Sequence, residues 1–262
     1  MSAAIGALII GDEILVGKRK DRHFDFLVAA LASRGLRLAY CEYQGDDPER
    51  LTAALKRTFA SGDIVFSFGG IGATPDDHTR QCAADAQGVP IALHPEAEAI
   101  IRARFAGEVT PFRLKMGEFP VGSTVIPNPV NQIPGFSVSD HHFVPGFPVM
   151  AWPMVEWVLD TRYKHLHHGV AEAEASIRVF GSAESILTPL MERVESRYGK
   201  LKVFSLPSIG EDGERRHIEL GVRGEPGEVA DAMEVIRAGV TETGAAWEEV
   251  REEVREEMPR TG

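Results

Sequence analysis

The sequence predicts an α/β protein of two domains: a mostly parallel sheet with helices on both faces over residues 1–162, then a small α+β domain over residues 172–262. Three observations predict it. Short apolar runs alternate with segments of helical period early in the chain, the pattern that parallel strands and crossover helices impose. The clearest strand, Asp63-Ile64-Val65-Phe66-Ser67-Phe68, runs directly into Gly69-Gly70. A polar stretch, 163–171, then precedes a second series of strand and helix signals. The 262 residues, 44% of them hydrophobic, suffice for two cores.

Residues 7–10 form a continuous apolar run, as expected of a strand covered on both faces. Phe24, Leu27, Val28 and Leu31 repeat at helical spacing, and Gly35 stands where that helix would stop. Residues 36–43 read as the second strand, with Leu36, Leu38 and Tyr40 alternating. Asp46-Asp47-Pro48 opens a helix with an acidic cap and an early proline, and Leu51, Leu55 and Phe59 line its buried face. Beyond the glycines, the chain from Asp76 onward reads as the next helix. From Pro111 prolines and glycines interrupt the pattern. Short strands are expected over 123–126, 135–138 and 142–144, with His141-His142 as hairpin-turn polarity, and a helix over 148–159 closes the domain.

In the second domain a strand is expected over 175–180, a helix capped by Ser182 over 182–198, and strands over 202–206 and 216–222 around a turn at 211–214. Val229, Met233, Ile236 and Val240 mark a final helix. The charged tail 248–257 reads as a fraying helix. Ile218, Leu220 and Val222 are expected to pack on the neighbouring domain or on another subunit, consistent with a homo-oligomer.

Composition narrows the function. The net charge is −11 and no basic run is read, which disfavours coating of nucleic acid or an acidic membrane. Gly221-Val222-Arg223-Gly224 has the spacing of an RNA-binding loop but follows a strand, and is set aside. Two cysteines, Cys41 and Cys82, imply no disulfide framework and suit a reducing compartment. With no bilayer-length apolar run and no signal-peptide pattern at the start, the expected location is the cytoplasm.

Chemistry concentrates at one loop. Ligands of open parallel sheets bind beyond the carboxyl ends of the strands. Gly69-Gly70-Ile71-Gly72 after a strand can bring backbone N–H groups to a phosphate, with Thr74 and Thr79 adding hydroxyls. Asp76-Asp77 either caps the following helix or holds a divalent cation that neutralises the phosphate. Gly11 and Asp12 after the first strand, and Asp46 after the second, are expected at the same edge. Pro145-Gly146-Phe147-Pro148 is either a rigid structural turn or a loop that closes over the ligand. His23 and His78 fall beside these loops, whereas the remaining histidines lack the spacing of a zinc site.

The ordered set Gly11-Asp12-Glu13-Ile14-Leu15-x-Gly17, Gly45-Asp46-Asp47, Gly69-Gly70-Ile71-Gly72-Ala73-Thr74-Pro75-Asp76-Asp77-His78-Thr79 and Pro145-Gly146-Phe147-Pro148 resembles the CinA-like (competence/damage-inducible protein A) branch of the MoaB/Mog family of molybdopterin-binding domains. The resemblance implies a three-layer α/β/α fold, the short form without an amidohydrolase domain, and a pocket for molybdopterin or a dinucleotide phosphate. It implies catalytic roles for Asp46 and Asp77, and ligand contacts from Gly11, Asp12, Gly69, Gly70, Gly72, Thr74, Thr79, Pro145, Gly146 and Pro148. It also implies a divalent metal (Mg, Mn or Co) on Asp12, Asp76 and Asp77. The expected reaction is metal-dependent hydrolysis or transfer at a pyrophosphate or phosphate of ADP-ribose, FAD or a pterin. The alternative is a non-catalytic binding protein. The chain departs from the family at Arg22-His23, where Thr-Asn is common, at Ala73, where proline is usual, and at Met150, where a glutamate is common. Loss of that carboxylate favours binding over turnover.

Overall fold

A computed structural model describes residues 3–169, 173–210 and 215–250. The chain divides into two compact units, Met1–His168 and Gly169–Gly262.

The first unit runs β1 (Ile5–Ile10), α1 (Asp12–Leu15), α2 (His23–Ala32), β2 (Tyr40–Gln44), α3 (Pro48–Ser61), β3 (Ile64–Phe68), α4 (Thr79–Gln87), β4 (Ile91–Leu93), α5 (Pro95–Phe105), α6 (Pro111–Lys115), β5 (Glu118–Pro120), β6 (Thr124–Ile126), β7 (Gly135–Val138), β8 (His141–Val144) and α7 (Pro148–Arg162). The central sheet has the order β2-β1-β3-β8-β7-β6. Pairings β1–β2, β1–β3 and β3–β8 are parallel, whereas β7 and β6 join antiparallel. β4 and β5 form a separate antiparallel pair.

Alternation along β1 builds three layers. Ile5, Ala7 and Ile9 face a core made with Leu27 and Leu31 of α2 and Met154, Val155 and Val158 of α7. Leu8 and Ile10 face the opposite core, with Leu51 and Leu55 of α3, Cys82 and Ala83 of α4 and Phe136 and Phe143 of the sheet. Each fully buried Leu, Ile, Val, Phe or Met among these contributes about 1.5–3 kcal/mol of transfer free energy. The registers Ile9↔Tyr43, Ile9↔Phe68 and Phe68↔Val144 bring the ends of β1, β2, β3 and β8 to one edge.

Several expectations are corrected. The second strand starts only at Tyr40; Leu36 and Leu38 pack on the core but leave the sheet. α4 starts at Thr79 rather than Asp76, because Asp77 bends back to accept from the Thr74 N–H at 2.8 Å and closes a turn first. His141 and His142 are not turn residues: both lie inside β8, buried beneath the helices. The stretch read as a linker opens on Tyr163, which is buried and bonded to His142 and Asp140. A 3-10 turn at Lys164–Leu166 and the His167 bond to the Leu159 carbonyl continue the packing, so the first unit reaches His168.

The second unit runs β9 (Ala173–Phe180), α8 (Glu184–Arg197), β10 (Lys202–Ser208), β11 (His217–Gly224), α9 (Pro226–Glu242) and β12 (Ala246–Glu249). The sheet order β10-β11-β9-β12 with this βαββαβ sequence is the ferredoxin-like arrangement. Ile218, Leu220 and Val222 are not an outward face: they form this unit's own core with Leu187, Leu190, Met233 and Ile236. Ser182 does not cap α8; Ala183 holds that position without a side-chain bond. Glu248 and Glu249 lie in β12, not in a helix. The remainder of the tail from residue 251 and the expected turn at 211–214 lie outside the described residues. No described helix is long and apolar enough to cross a membrane.

Candidate functional site

Beyond the carboxyl ends of β1, β2, β3 and β8 lies a cleft of about 390 Å³. Gly11, Asp46, Gly69, Gly70, Gly72, Thr74, Asp76, Asp77, Pro145 and Gly146 line it, as the sequence reading expects. Asp12, Thr79 and Pro148 do not line it.

The glycine loop owes its shape to α4. Thr79, fully buried, donates its Oγ1 hydrogen to the Gly69 carbonyl at 3.1 Å and its backbone N–H to the Gly70 carbonyl at 3.0 Å. Arg80 Nη1 donates to the Ile71 carbonyl at 3.0 Å. Three consecutive carbonyls are thus held from within the fold. In a planar trans peptide the N–H points opposite the C=O, so the N–H groups of Gly70, Ile71 and Gly72 turn toward the cleft. Among the described residues none of the three has an intramolecular acceptor. Successive outward N–H groups of this kind form an anion-binding nest. Two glycines are obligatory here. Gly69 has φ 106°, and a Cβ there would collide with the Ile10 carbonyl oxygen; Gly70 has φ 66°, and a Cβ would collide with Thr79 Oγ1.

The acids have different tasks. Asp12 N–H donates to Asp46 Oδ2 at 2.9 Å, and Asp46 N–H donates to Asp12 Oδ1 at 3.2 Å. This reciprocal pair ties the loop after β1 to the loop after β2. Partial burial pushes the Asp46 carboxyl above its ordinary range; the Asp12 N–H opposes that rise, while the charges of Asp12, Glu13 and Asp76 add to it. Asp77 is engaged by Thr74. Among the described residues no three His, Cys, Asp or Glu side chains are gathered as a metal site. Asp12, Asp76 and Asp77 thus form no preassembled three-ligand cluster.

Part of the lining went unread in the sequence: Asn128, Asn131, Ile133, Pro134, Met116 and Arg19 join Glu13 and Phe147 of the loops already singled out. Asn128, 6% exposed, pins the irregular segment by donating to Asn131 Oδ1 at 2.8 Å and the Ile133 carbonyl at 3.0 Å. Two asparagines between Pro127 and Pro134 were the available signal. Met150, the residue at which the resemblance implies a glutamate, does line the cleft. Contrary to the reading that no basic run exists, Lys18, Arg19, Lys20 and Arg22 cluster before α2. Arg19, Lys20 and Arg22 border a second cavity of about 360 Å³ that shares Arg19, Gly146 and Phe147 with the first. His23 is 5% exposed, donates Nε2–H to the Gly146 carbonyl at 3.2 Å and stacks on Phe68; burial holds its pKa below the usual value. It braces the proline-glycine loop from behind.

Residues 6–165 match the family described as a probable molybdopterin binding domain. The chain belongs to that family. Over 188 residues it is 34% identical to a CinA-like protein of Anaeromyxobacter dehalogenans (strain 2CP-1), covering 68% of this chain and 45% of the relative. A CinA-like protein of Anaeromyxobacter sp. (strain Fw109-5) is 30% identical over 246 residues, covering 86% of this chain and 60% of the relative. The chain thus spans about half the length of the curated relatives it matches. The crystal structure of CinA from Thermoplasma acidophilum, described as of unknown function, is 27% identical with a TM-score of 0.55, covering 60% of this chain and 97% of that one. The molybdopterin-binding domain therefore coincides with the first unit, and the cleft described above lies wholly within it.

Proposed function

We propose that the first unit binds a phosphate-bearing pterin of the molybdopterin type, or a nucleotide of similar size, with the phosphate seated on the N–H groups of Gly70, Ile71 and Gly72. The observation that carries this reading is the set of three inward carbonyls, held by Thr79 and Arg80, that turns three N–H groups outward. The cleft volume of about 390 Å³ suits a small ring-bearing ligand. Asn128, Asn131, Ile133 and Phe147 supply amide and apolar surface for the ring. The family description supports the pterin as the ring. Titration calorimetry with molybdopterin and with its phosphate-free pterin tests this. Tighter binding of the phosphorylated form is expected; equal affinity contradicts a phosphate seat on the loop.

A second reading is hydrolysis or transfer at a phosphate or pyrophosphate, as in ADP-ribose, FAD or a pterin phosphate. The Asp46 carboxyl at the cleft wall favours it, because partial burial raises it above its ordinary range and such a shift suits a proton-transfer group. In this reading Asp46 is the proton-transfer group and Asp77 holds Thr74 in place. No step is assigned to a metal. Incubation with ADP-ribose or FAD, alone and with Mg²⁺, Mn²⁺ or Co²⁺, decides it: monophosphate products support turnover, and their absence under saturating binding leaves the binding protein.

A further inference from the structure

Arg80 is a buried charge behind the loop that the binding reading leaves unused. At 2% exposed, its side chain is the largest of the fully buried ones among the described residues. Nη1 donates to the Ile71 carbonyl at 3.0 Å, while Nε is buried with no partner. Among the described residues it joins no ion pair. Burial weighs against its charged form, and the more distant carboxylates of Asp77 and Glu118 favour it. A guanidinium stays protonated even so. Removing such a cation from water without a partner costs several kcal/mol, so it is retained only where something offsets that cost.

The location shows what does. The guanidinium lies directly behind the Ile71–Gly72 peptide, whose N–H faces the cleft on the far side. The surrounding wall is acidic, with Glu13, Asp46, Asp76 and Asp77 lining it. Arg19 is the one cation in that lining, and it pairs with Glu13 at 3.8 Å, so an anion drawn to the nest would meet net repulsion from the side chains unless a second cation lies beneath. The low local dielectric makes a charge there act more strongly than one on the surface.

We propose that Arg80 is the built-in counter-charge of the phosphate seat: a buried cation that both orients the Gly72 N–H through the Ile71 carbonyl and offsets the acidic wall when a phosphate binds. Arg80 does not touch the ligand; it is a positioning residue and a source of potential. This rests on the phosphate reading of the cleft. It implies that the free protein carries an unpaired buried charge that the ligand neutralises through one peptide.

The test uses the full chain, inorganic pyrophosphate as probe, and the variants Arg80→Met and Arg80→Lys, with thermal melting and calorimetric titration. Arg80→Met removes the unpaired charge, so its melting temperature without pyrophosphate is expected at or above the wild-type value, while its pyrophosphate affinity falls about tenfold or more. Arg80→Lys retains the charge and is expected to recover most of that affinity. A merely structural arginine would behave in the opposite way. Failure of Arg80→Met to fold, a lower melting temperature with unchanged affinity, or equal losses in Arg80→Met and Arg80→Lys each overturn the proposal. Wild-type protein that does not bind pyrophosphate overturns the phosphate reading itself, a result distinct from the failure of Arg80 alone.

Discussion

The two ends of β3 and β8 treat polar groups in opposite ways. At the starting end, His142 Nε2 lies 2.7 Å from the Tyr163 hydroxyl, which donates to Asp140 Oδ1 at 2.8 Å, while Ser137 Oγ lies 2.8 Å from His142 Nδ1. Since Tyr163 gives its one hydrogen to Asp140, His142 Nε2 must donate to it, and Nδ1 then accepts from Ser137. His141 Nε2 similarly bonds Thr58 Oγ1 at 2.9 Å, and Thr58 passes its own hydrogen to the Leu55 carbonyl. At the finishing end the loop turns three N–H groups outward without acceptors. Bonds within the fold rigidify one end; donors left open at the other are what a ligand can complete. Polar residues alone therefore do not mark the site. The histidine pair is the more conspicuous feature of the sequence, yet it is turned inward: both nitrogens of His142 and Nε2 of His141 are bonded within the fold, and His141 Nδ1 is buried away from any ligand.

The largest expected effect breaks the open end. Gly70→Val places a branched side chain at φ 66° against Thr79 Oγ1. Pyrophosphate binding should become undetectable by calorimetry, with a stability loss of about 1–3 kcal/mol from overpacking. Unchanged affinity would show the loop to be only a turn.

The next acts on the closed end. Burial lowers the pKa of His141 from 6.5 to about 4 and that of His142 in the same direction. The unfolded chain binds these protons first, so stability rises with pH across this window. The contribution is fully present above pH 6.5 and is lost as pH falls toward 4. For His141 alone the span is about 3 kcal/mol. Urea denaturation at several pH values checks it, and His141→Phe should flatten the profile. A profile unchanged by the substitution would separate the acid sensitivity from this pair.

How much of this was legible follows from the range of the interactions. The strand ends at Ile10, Phe68 and Val144 and the glycine loop could be read because each depends on local pattern: an apolar run, then glycine. The start of α4 was misread because Asp76 resembles a cap, whereas Asp77 reaches back to Thr74. The Asn128 wall is irregular chain whose place is set by packing rather than period. Arg80 carries no distinguishing signal in the sequence; only the fold buries it. β4 and α5 were unread, with a three-residue strand too short to carry periodicity.

A smaller effect should come from Thr79→Val, which keeps the shape but leaves the Gly69 carbonyl without its Oγ1 donor. About 1–2 kcal/mol of stability should be lost, with pyrophosphate bound several-fold more weakly. Equal stability would mean that the carbonyl finds another donor. Smallest of all is the effect of ending the chain after His168: both ends of the sheet stay intact and affinity should change less than about twofold. Ending it at Thr161 removes Tyr163 and should lower the melting temperature. If the His168 truncation folds yet loses affinity, the site needs the second unit.

The central claim is that the Gly70, Ile71 and Gly72 amides are the open donors of the phosphate seat. Amide resonances of ¹⁵N-labelled protein titrated with pyrophosphate test it most directly. Saturable shifts are expected, largest at these three amides, while those of His141 and His142 stay in place. Saturable binding that leaves the three amides unmoved would contradict it.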